Sequence, residues 1–514
     1  MKIILFRQSK ILRIVFFLFC ALSFVVGAYR NTPLLSQNAF GQKQSLPSQG
    51  IPVCTALGDK RYLEVASDGV GGAFLVWVDY RNDKYPDIYA QRLDRNGMVL
   101  WQKDEVPVCT TKHDQAEAEI VRSDEESAII VWNDRRSGQN YDIYAQRIDS
   151  SGNFLWRTNG IPVCTTYEDQ TSPQMISDGK GGVFICWQDR RNRNQGNDIY
   201  AQRIDKDGNS IWTPNGVPIC TTLSDQIFPV ICSDGKGGAI IAWTDHRKNV
   251  LEDWDIYAQR IDSNGNISWK TNGVGVCTNP QNQGKTKIVK DDRGGAIISW
   301  LLYKETDSDV YIQRVDSLGN ILWSPNGVSV CDLTGNQNEI FMSEDGSGGA
   351  VIVWSDYRKG DYDTYGQRFN SMGKALWGPN GMAICSVFGP QWNPEITRLD
   401  QKRFLVSWED NRTHNCHIYA QALNERGNSL WGKDGIMICP ANGVQTDPKI
   451  VADGWADAII AWSDRRNGRV DFFAEEISAP LLASTNPGGT SIEMNLYLSE
   501  DIFSSLVKNH KHWR

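Results

Sequence analysis

The chain has 514 residues, with 53 Lys and Arg against 61 Asp and Glu, a net charge of −8 and a pI near 5.4. Nucleic-acid binding draws its affinity from concentrated Lys and Arg, so this acidic balance argues against a nucleic-acid partner. The 12 cysteines include no C-x-x-C, no C-x-x-C-H and no adjacent pair, which excludes zinc ribbons and c-type haem attachment as sequence signals.

Residues 1–28 carry Lys2, Arg7, Lys10 and Arg13, then an apolar run over 14–27 that closes on Val26-Gly27-Ala28. That order is the pattern of an export signal peptide. The run falls short of the ~20 residues a spanning helix needs, and the bulky Phe17-Leu18-Phe19 before Cys20 argues against lipidation. The expected organisation is a signal peptide over 1–28, a linker over 29–49, a repeat domain over 50–477 and a tail over 478–514. The mature protein is expected to be secreted, periplasmic or in the cell envelope, with no membrane contact beyond the signal peptide.

From residue 50 onward a single unit recurs. A tryptophan closes an apolar run at Trp77, Trp132, Trp187, Trp243, Trp300, Trp354, Trp408 and Trp462, and one cysteine marks each unit at Cys54, Cys109, Cys164, Cys220, Cys277, Cys331, Cys385 and Cys439. In the unit over 221–277, an apolar run at 227–232 is followed by Ser233-Asp234-Gly235-Lys236-Gly237-Gly238, a tight turn. The five apolar residues at 239–243 then read as a strand covered on both faces. Residues 255–262 read as a third strand, and the turn at 263–266 leads through 267–269 to an outer fourth strand ending at Cys277. No helical period occurs in the unit.

A lone four-stranded sheet cannot bury both faces, so the units must stack as blades or as a solenoid. The last unit stops near Ile477 without a fourth strand, while the array opens on an unattached one at residues 50–55. Joining these completes an eighth sheet and abolishes the open edges. The fold expected is all-β, an eight-bladed β-propeller of four-stranded antiparallel blades closed by its N-terminal strand.

The most repeated polar pattern is W-x-D-x-R, with Asp79, Asp134, Asp189, Asp245, Asp356, Asp410 and Asp464 each two residues before an arginine. Alternate strand residues share a face, so Trp, Asp and Arg should meet at the strand end. Seven copies around a ring point to a structural role through charge-assisted hydrogen bonds. Blade five, with Leu302 in place of the aspartate, should lack it. The cysteine ladder points one way in every blade, so it reads as packing rather than disulfides. The D-x-x-G-N turns lack the spaced glutamate of a calcium loop, and Gly179, Gly181 and Gly182 precede a strand rather than a phosphate-binding helix. His414, Cys416 and His417 cluster without a further ligand. No metal and no cofactor are expected.

The compound pattern S-D-G-x-G-G-A-x-x-x-W-x-D-x-R... D-I-Y-A-Q-R-I-D-x-x-G-N-x-L-W, as over 233–269, resembles the repeats of uncharacterised secreted bacterial β-propeller proteins. The resemblance implies an exported or surface propeller and brings no agreed activity or catalytic residues. The I-D-x-x-G-N-x-L-W stretch is also similar to the tryptophan-docking repeat of pyrroloquinoline-quinone dehydrogenases, but the vicinal cysteine pair of those enzymes is missing. Sialidase S-x-D-x-G-x-T-W boxes differ too, because serine and aspartate are adjacent here, as in Ser177-Asp178.

Function is expected where blades differ, in the hairpins after W-x-D-x-R, since variable loops on a rigid frame are where binding is built. The longer hairpins of blades three and four nominate Arg193, Asn194, Asn197, Glu252, Asp253 and Trp254 as a binding rim, with no catalytic residues assigned. The expectation is a non-enzymatic scaffold that binds a protein or glycan at one face of the ring. The alternative is a carbohydrate-active glycosidase or lyase or, less favoured, a quinoprotein-like oxidoreductase.

Overall fold

The computed structural model describes residues 49–478, except 83, 103–104, 125–126 and 249–252. The signal peptide over 1–28, nearly all of the linker, the tail beyond Ser478 and the rim candidate Glu252 lie outside the described residues. Among those described, every regular element is a strand.

The strands form eight four-stranded antiparallel sheets, seven of them taken in sequence order. The eighth joins Gln445–Ala452, Asp457–Asp464 and Asp471–Ser478 to Ile51–Cys54, with Ile51 opposite Ala474 and Cys54 opposite Phe472. Neighbouring first strands touch all the way round, the eighth blade's against the first blade's included. The molecule is therefore an eight-bladed β-propeller closed by its N-terminal strand. One detail differs from the sequence reading. Residues 267–269 do not extend the outer strand, which is only Val274–Cys277; Ile267 makes a single bridge to Ile261, and Trp269 turns inward to the joint between blades.

Packing explains the tryptophan ladder. All eight indoles are fully buried between sheets, each a side chain whose truncation typically costs about 3–5 kcal/mol. The glycine before the outer strand makes room for the ring; a Cβ on Gly216 would lie 2.5 Å from Trp187, and its φ of +86° is open to glycine.

In seven blades the indole Nε1–H donates to the motif aspartate at 2.6–3.1 Å. The motif arginine donates Nε–H to the other carboxylate oxygen at 2.8–2.9 Å. Its guanidinium lies 3.5–4.0 Å from the ring centroid of the third-strand Tyr or Phe. It also reaches the ladder cysteine of the preceding blade at 3.1–3.7 Å. The ladder cysteines are therefore polar partners at the joint as well as packing, and all eleven described cysteines are buried and free. In blade five Leu302 fills the aspartate position, and Trp300 Nε1 is left without a partner.

A second device ties blade to blade at the opposite face. The D-I-Y-A-Q-R arginine and the L-W tryptophan of one blade both donate to a single carbonyl in the next blade's D-x-x-G-N turn. Examples are Arg203 and Trp212 on the Ser263 oxygen at 3.2 and 3.1 Å. Six joints carry this double bond, at 2.7–3.2 Å from arginine and 2.9–3.4 Å from tryptophan. Blade eight has no turn between its third and fourth strands, and blade seven correspondingly has Ala422 in place of the arginine. On its other side, blade eight has Glu476 where arginine would stand.

Candidate active site

The eight first strands line the axis, and each begins the same way. Gln115, Gln170, Gln226, Gln337, Gln391 and Gln445 open six of them and Gln283 is the second residue of a seventh, all buried; six of these amides donate to the preceding loop, as in Gln226 Nε2–H to the Ser224 carbonyl at 2.9 Å, whereas Gln445 Oε1 accepts from the Ile418 N–H at 3.2 Å. Blade one has Lys60 instead. Its Nζ donates to the Val470 carbonyl and to Asp471 across the closing joint, each at 3.4 Å.

Two residues later every first strand breaks register in a β-bulge. The bulged residues Tyr62, Glu117, Ser172, Phe228, Lys285, Glu339, Asn393 and Asp447 all have φ between 48° and 56°. No glycine occupies any of these left-handed positions, an arrangement that costs energy and clusters at functional sites. The bulges are held from the side. Ser172 N–H donates to Glu117 at 2.8 Å, Asn393 N–H to Glu339 at 2.6 Å, Phe228 N–H to Gln188 at 2.6 Å and Asp447 N–H to Glu409 at 2.9 Å.

Past the bulge, the fifth residue of each first strand points into the channel, and here the blades diverge. In order around the ring stand Glu64, Glu119, Gln174, Val230, Lys287, Phe341, Glu395 and Lys449, all half-buried. Lys449 in blade eight bridges its neighbours on both sides, at 2.8 Å to Glu64 and 3.4 Å to Glu395. Burial opposes the Lys449 charge, but the two carboxylates outweigh it and keep this lysine protonated. Glu119 accepts from Gln174 Nε2–H at 2.7 Å. Burial, reinforced by the nearby Glu64 charge, pushes the Glu119 carboxyl up to about 8. Burial also raises Glu395, although Lys449 pulls the other way. Lys287 is depressed by burial, and its Nζ lies 4.4 Å from the Phe341 ring centroid.

Above this ring opens a cavity of about 880 Å³ against the first strands of blades one to seven. Glu64 and Glu119 lie in its wall. Tyr62, Phe228, Trp254 and Tyr303 give it an aromatic lip, and no arginine lines it. The site thus joins a carboxyl pushed up to about 8 to a carboxylate ion-paired with lysine, under a mouth lined with aromatic rings.

Of the described rim residues nominated from sequence, Trp254 alone lines this cavity. Arg193 is exposed and paired with Glu168, Asn194 is exposed, and Asn197 is used to hold Asp225 at 2.8 Å. Asp253 pairs with Lys248 at 3.1 Å. Sequence reasoning missed the channel ring, although the signal was present: in the first strands the bulge residue and the fifth residue change from blade to blade while the opening glutamine stays. Among the described residues no three metal-capable side chains stand together.

No family model matches the sequence, and no curated protein matches it. Among solved structures, the chain is similar to an α-L-arabinofuranosidase of Fusarium graminearum with arabinobiose, at 9% identity over 73% of this chain and 98% of that one, with a TM-score of 0.37. It is similar to a Penicillium chrysogenum α-L-arabinanase with arabinobiose, at 12% identity over 74% and 98%, TM-score 0.35. It also resembles a Hadza microbial sialidase at 11% identity over 64% and 72%, TM-score 0.33. These likenesses are too remote to carry residues or activity across. The expectation of a non-enzymatic scaffold is corrected on the chemistry of the axial cavity itself, which sets Glu119, pushed up to about 8, beside Glu64, ion-paired with Lys449.

Proposed function

We propose that the protein is a glycoside hydrolase that acts in its axial cavity on a neutral oligosaccharide. The observation that carries this reading is the pairing of Glu119, pushed up to about 8, with Glu64, which is ion-paired to Lys449 at 2.8 Å. Glycoside cleavage needs one carboxyl that still holds its proton near neutral pH and a second that is ionised. Glu119 donates its proton to the glycosidic oxygen as the bond to the anomeric carbon breaks. Glu64 faces the positive charge that develops on the ring and either takes a proton from the incoming water or attacks the anomeric carbon, the ester so formed being hydrolysed by water. Lys449, ion-paired with Glu64 at 2.8 Å, orients it. The lining sets Glu64, Glu117, Glu119 and Glu339 against Lys285 and Lys287, and this excess of carboxyl groups favours a neutral sugar over an acidic one. Export, expected from residues 1–28, suits an enzyme acting on material outside the cell.

The test is hydrolysis of neutral arabino-, xylo-, gluco- and galacto-oligosaccharides by the purified protein, followed by product chromatography. Glu119→Gln and Glu64→Gln should each lower kcat at least 10²-fold with little change in binding, and wild-type kcat should fall as pH rises through about 8 as the acid loses its proton. Turnover that is unchanged in both variants, or no turnover of any substrate, would refute the assignment.

A further inference from the structure

The wall of the cavity between blades four and five departs from its equivalents in three ways that converge. The first is Trp254, which stacks on His246 with ring centroids 4.4 Å apart and planes 13° from parallel. One indole face is thus covered, and the residue lines the cavity with the other. The second is Thr244, 4% exposed, whose Oγ1 has no partner. In other blades the polar residue at this place braces a bulge. Asn133 donates to Glu117 at 2.7 Å, Ser355 donates to Glu339 at 2.7 Å, and Gln188 and Glu409 accept bulge N–H groups. The third is Thr286, 5% exposed, whose Oγ1 is also unpartnered. Its equivalents in the other seven first strands, from Leu63 to Pro448, are all apolar.

A buried hydroxyl without a partner is costly to keep, and two of them beside a braced indole in one cavity wall call for a ligand with hydroxyl groups and an apolar face. We propose that this joint is a sugar-ring subsite, in which Trp254 stacks on the apolar face of a neutral sugar while Thr244 and Thr286 bond its hydroxyls. It deepens the hydrolase reading and rests on it for the sugar's place in a longer chain. The carboxyl groups stand on blades one and two and the subsite on blades four and five, three blades further round the ring, so the subsite holds a residue away from the bond being broken. His246 fixes the indole plane before the sugar arrives, which lowers the ordering cost on binding.

The experiment measures binding by calorimetry, using Glu119→Gln protein so that turnover does not interfere, with arabinotetraose, xylotetraose, cellotetraose and a β-1,4-galactotetraose as probes. Against the tetrasaccharide bound most tightly, Trp254→Ala should weaken binding about tenfold, Trp254→Phe should recover most of it, and the double change Thr244→Val with Thr286→Val should weaken it several-fold. Trp455→Ala, at an exposed tryptophan outside the cavity, should leave it unaltered. Binding without cleavage by the wild-type protein would sink the hydrolase reading while leaving the subsite standing. Equal affinity for Trp254→Ala and its parent overturns the subsite whatever the hydrolysis result, and so does failure of all four probes to bind.

Discussion

Replacing Glu119 by glutamine should stabilise the protein while abolishing hydrolysis, and the stabilisation should depend on pH in one direction. The carboxyl is raised from 4.5 to about 8 by burial and by Glu64. Below the unfolded value both states hold the proton, and the residue costs nothing. As pH rises above it, the unfolded chain ionises while the native state keeps its proton, so the native state loses ground until pH reaches about 8 and then no further. Each pH unit is worth about 1.4 kcal/mol. Because the group is half-buried beside an open cavity, screening reduces the total, and about 1–3 kcal/mol remains at pH 8. Glutamine carries no charge to desolvate, and its Oε1 can still accept from Gln174. With ~2 cal/mol/K of unfolding entropy per residue over the propeller, the gain in Tm is about 1–3 °C. Calorimetric scans of both proteins at pH 5, 6, 7 and 8 should show curves that nearly coincide at pH 5 and separate steadily toward pH 8. A pH-independent offset, or a variant less stable at pH 8, would refute the account of Glu119 and with it the general acid.

Removing residues 29–56 takes away the strand that pairs with Asp471–Ser478; it should lower Tm by at least 10 °C and promote association through the bared edge, and an unchanged melting curve would rule out the closure. Asp245→Asn leaves Trp243 with a neutral acceptor and Arg247 without its carboxylate, so we expect a loss of about 2–4 kcal/mol in urea unfolding, against under about 1 kcal/mol for the exposed Asp207→Asn. The ladder cysteines should resist an aromatic disulfide reagent in the folded protein and all react once it is denatured without reductant; silence after denaturation would show disulfides.

The fold was legible because its signals repeat. The Trp and Cys ladders, the glycine turns and the stray fourth strand at Ile51 each pointed to closed blades, and the seven copies of W-x-D-x-R announced a contact that recurs at each of those blades. The site was not legible for the opposite reason. Its residues repeat in place but not in kind, and a search for recurring motifs passes over Glu64, Glu119 and Lys449. The bulges gave no warning either, since positive φ at Tyr62, Phe228 or Lys285 carries no glycine to mark it. Attention went instead to loop length, which found Trp254 but also Arg193 and Asn197, whose side chains are occupied by local pairings with Glu168 and Asp225.

Blade eight is the clasp of the ring, and the clasp carries the lysine that holds Glu64. Its two joints are the ones without the arginine and tryptophan double bond, yet Lys449 within it reaches Glu395 on one side and Glu64 on the other. While Ile51–Cys54 is unpaired, these three side chains have no reason to meet, so a partly folded array would present neither the Lys449 ion pairs nor an enclosed cavity. The same arrangement makes strain at the clasp visible to the site: any proteolytic nick or ligand that loosens blade eight would spread Glu64 from Lys449 before it disturbed the six bonded joints elsewhere. Under the proposed function, hydrolysis would then fail ahead of unfolding.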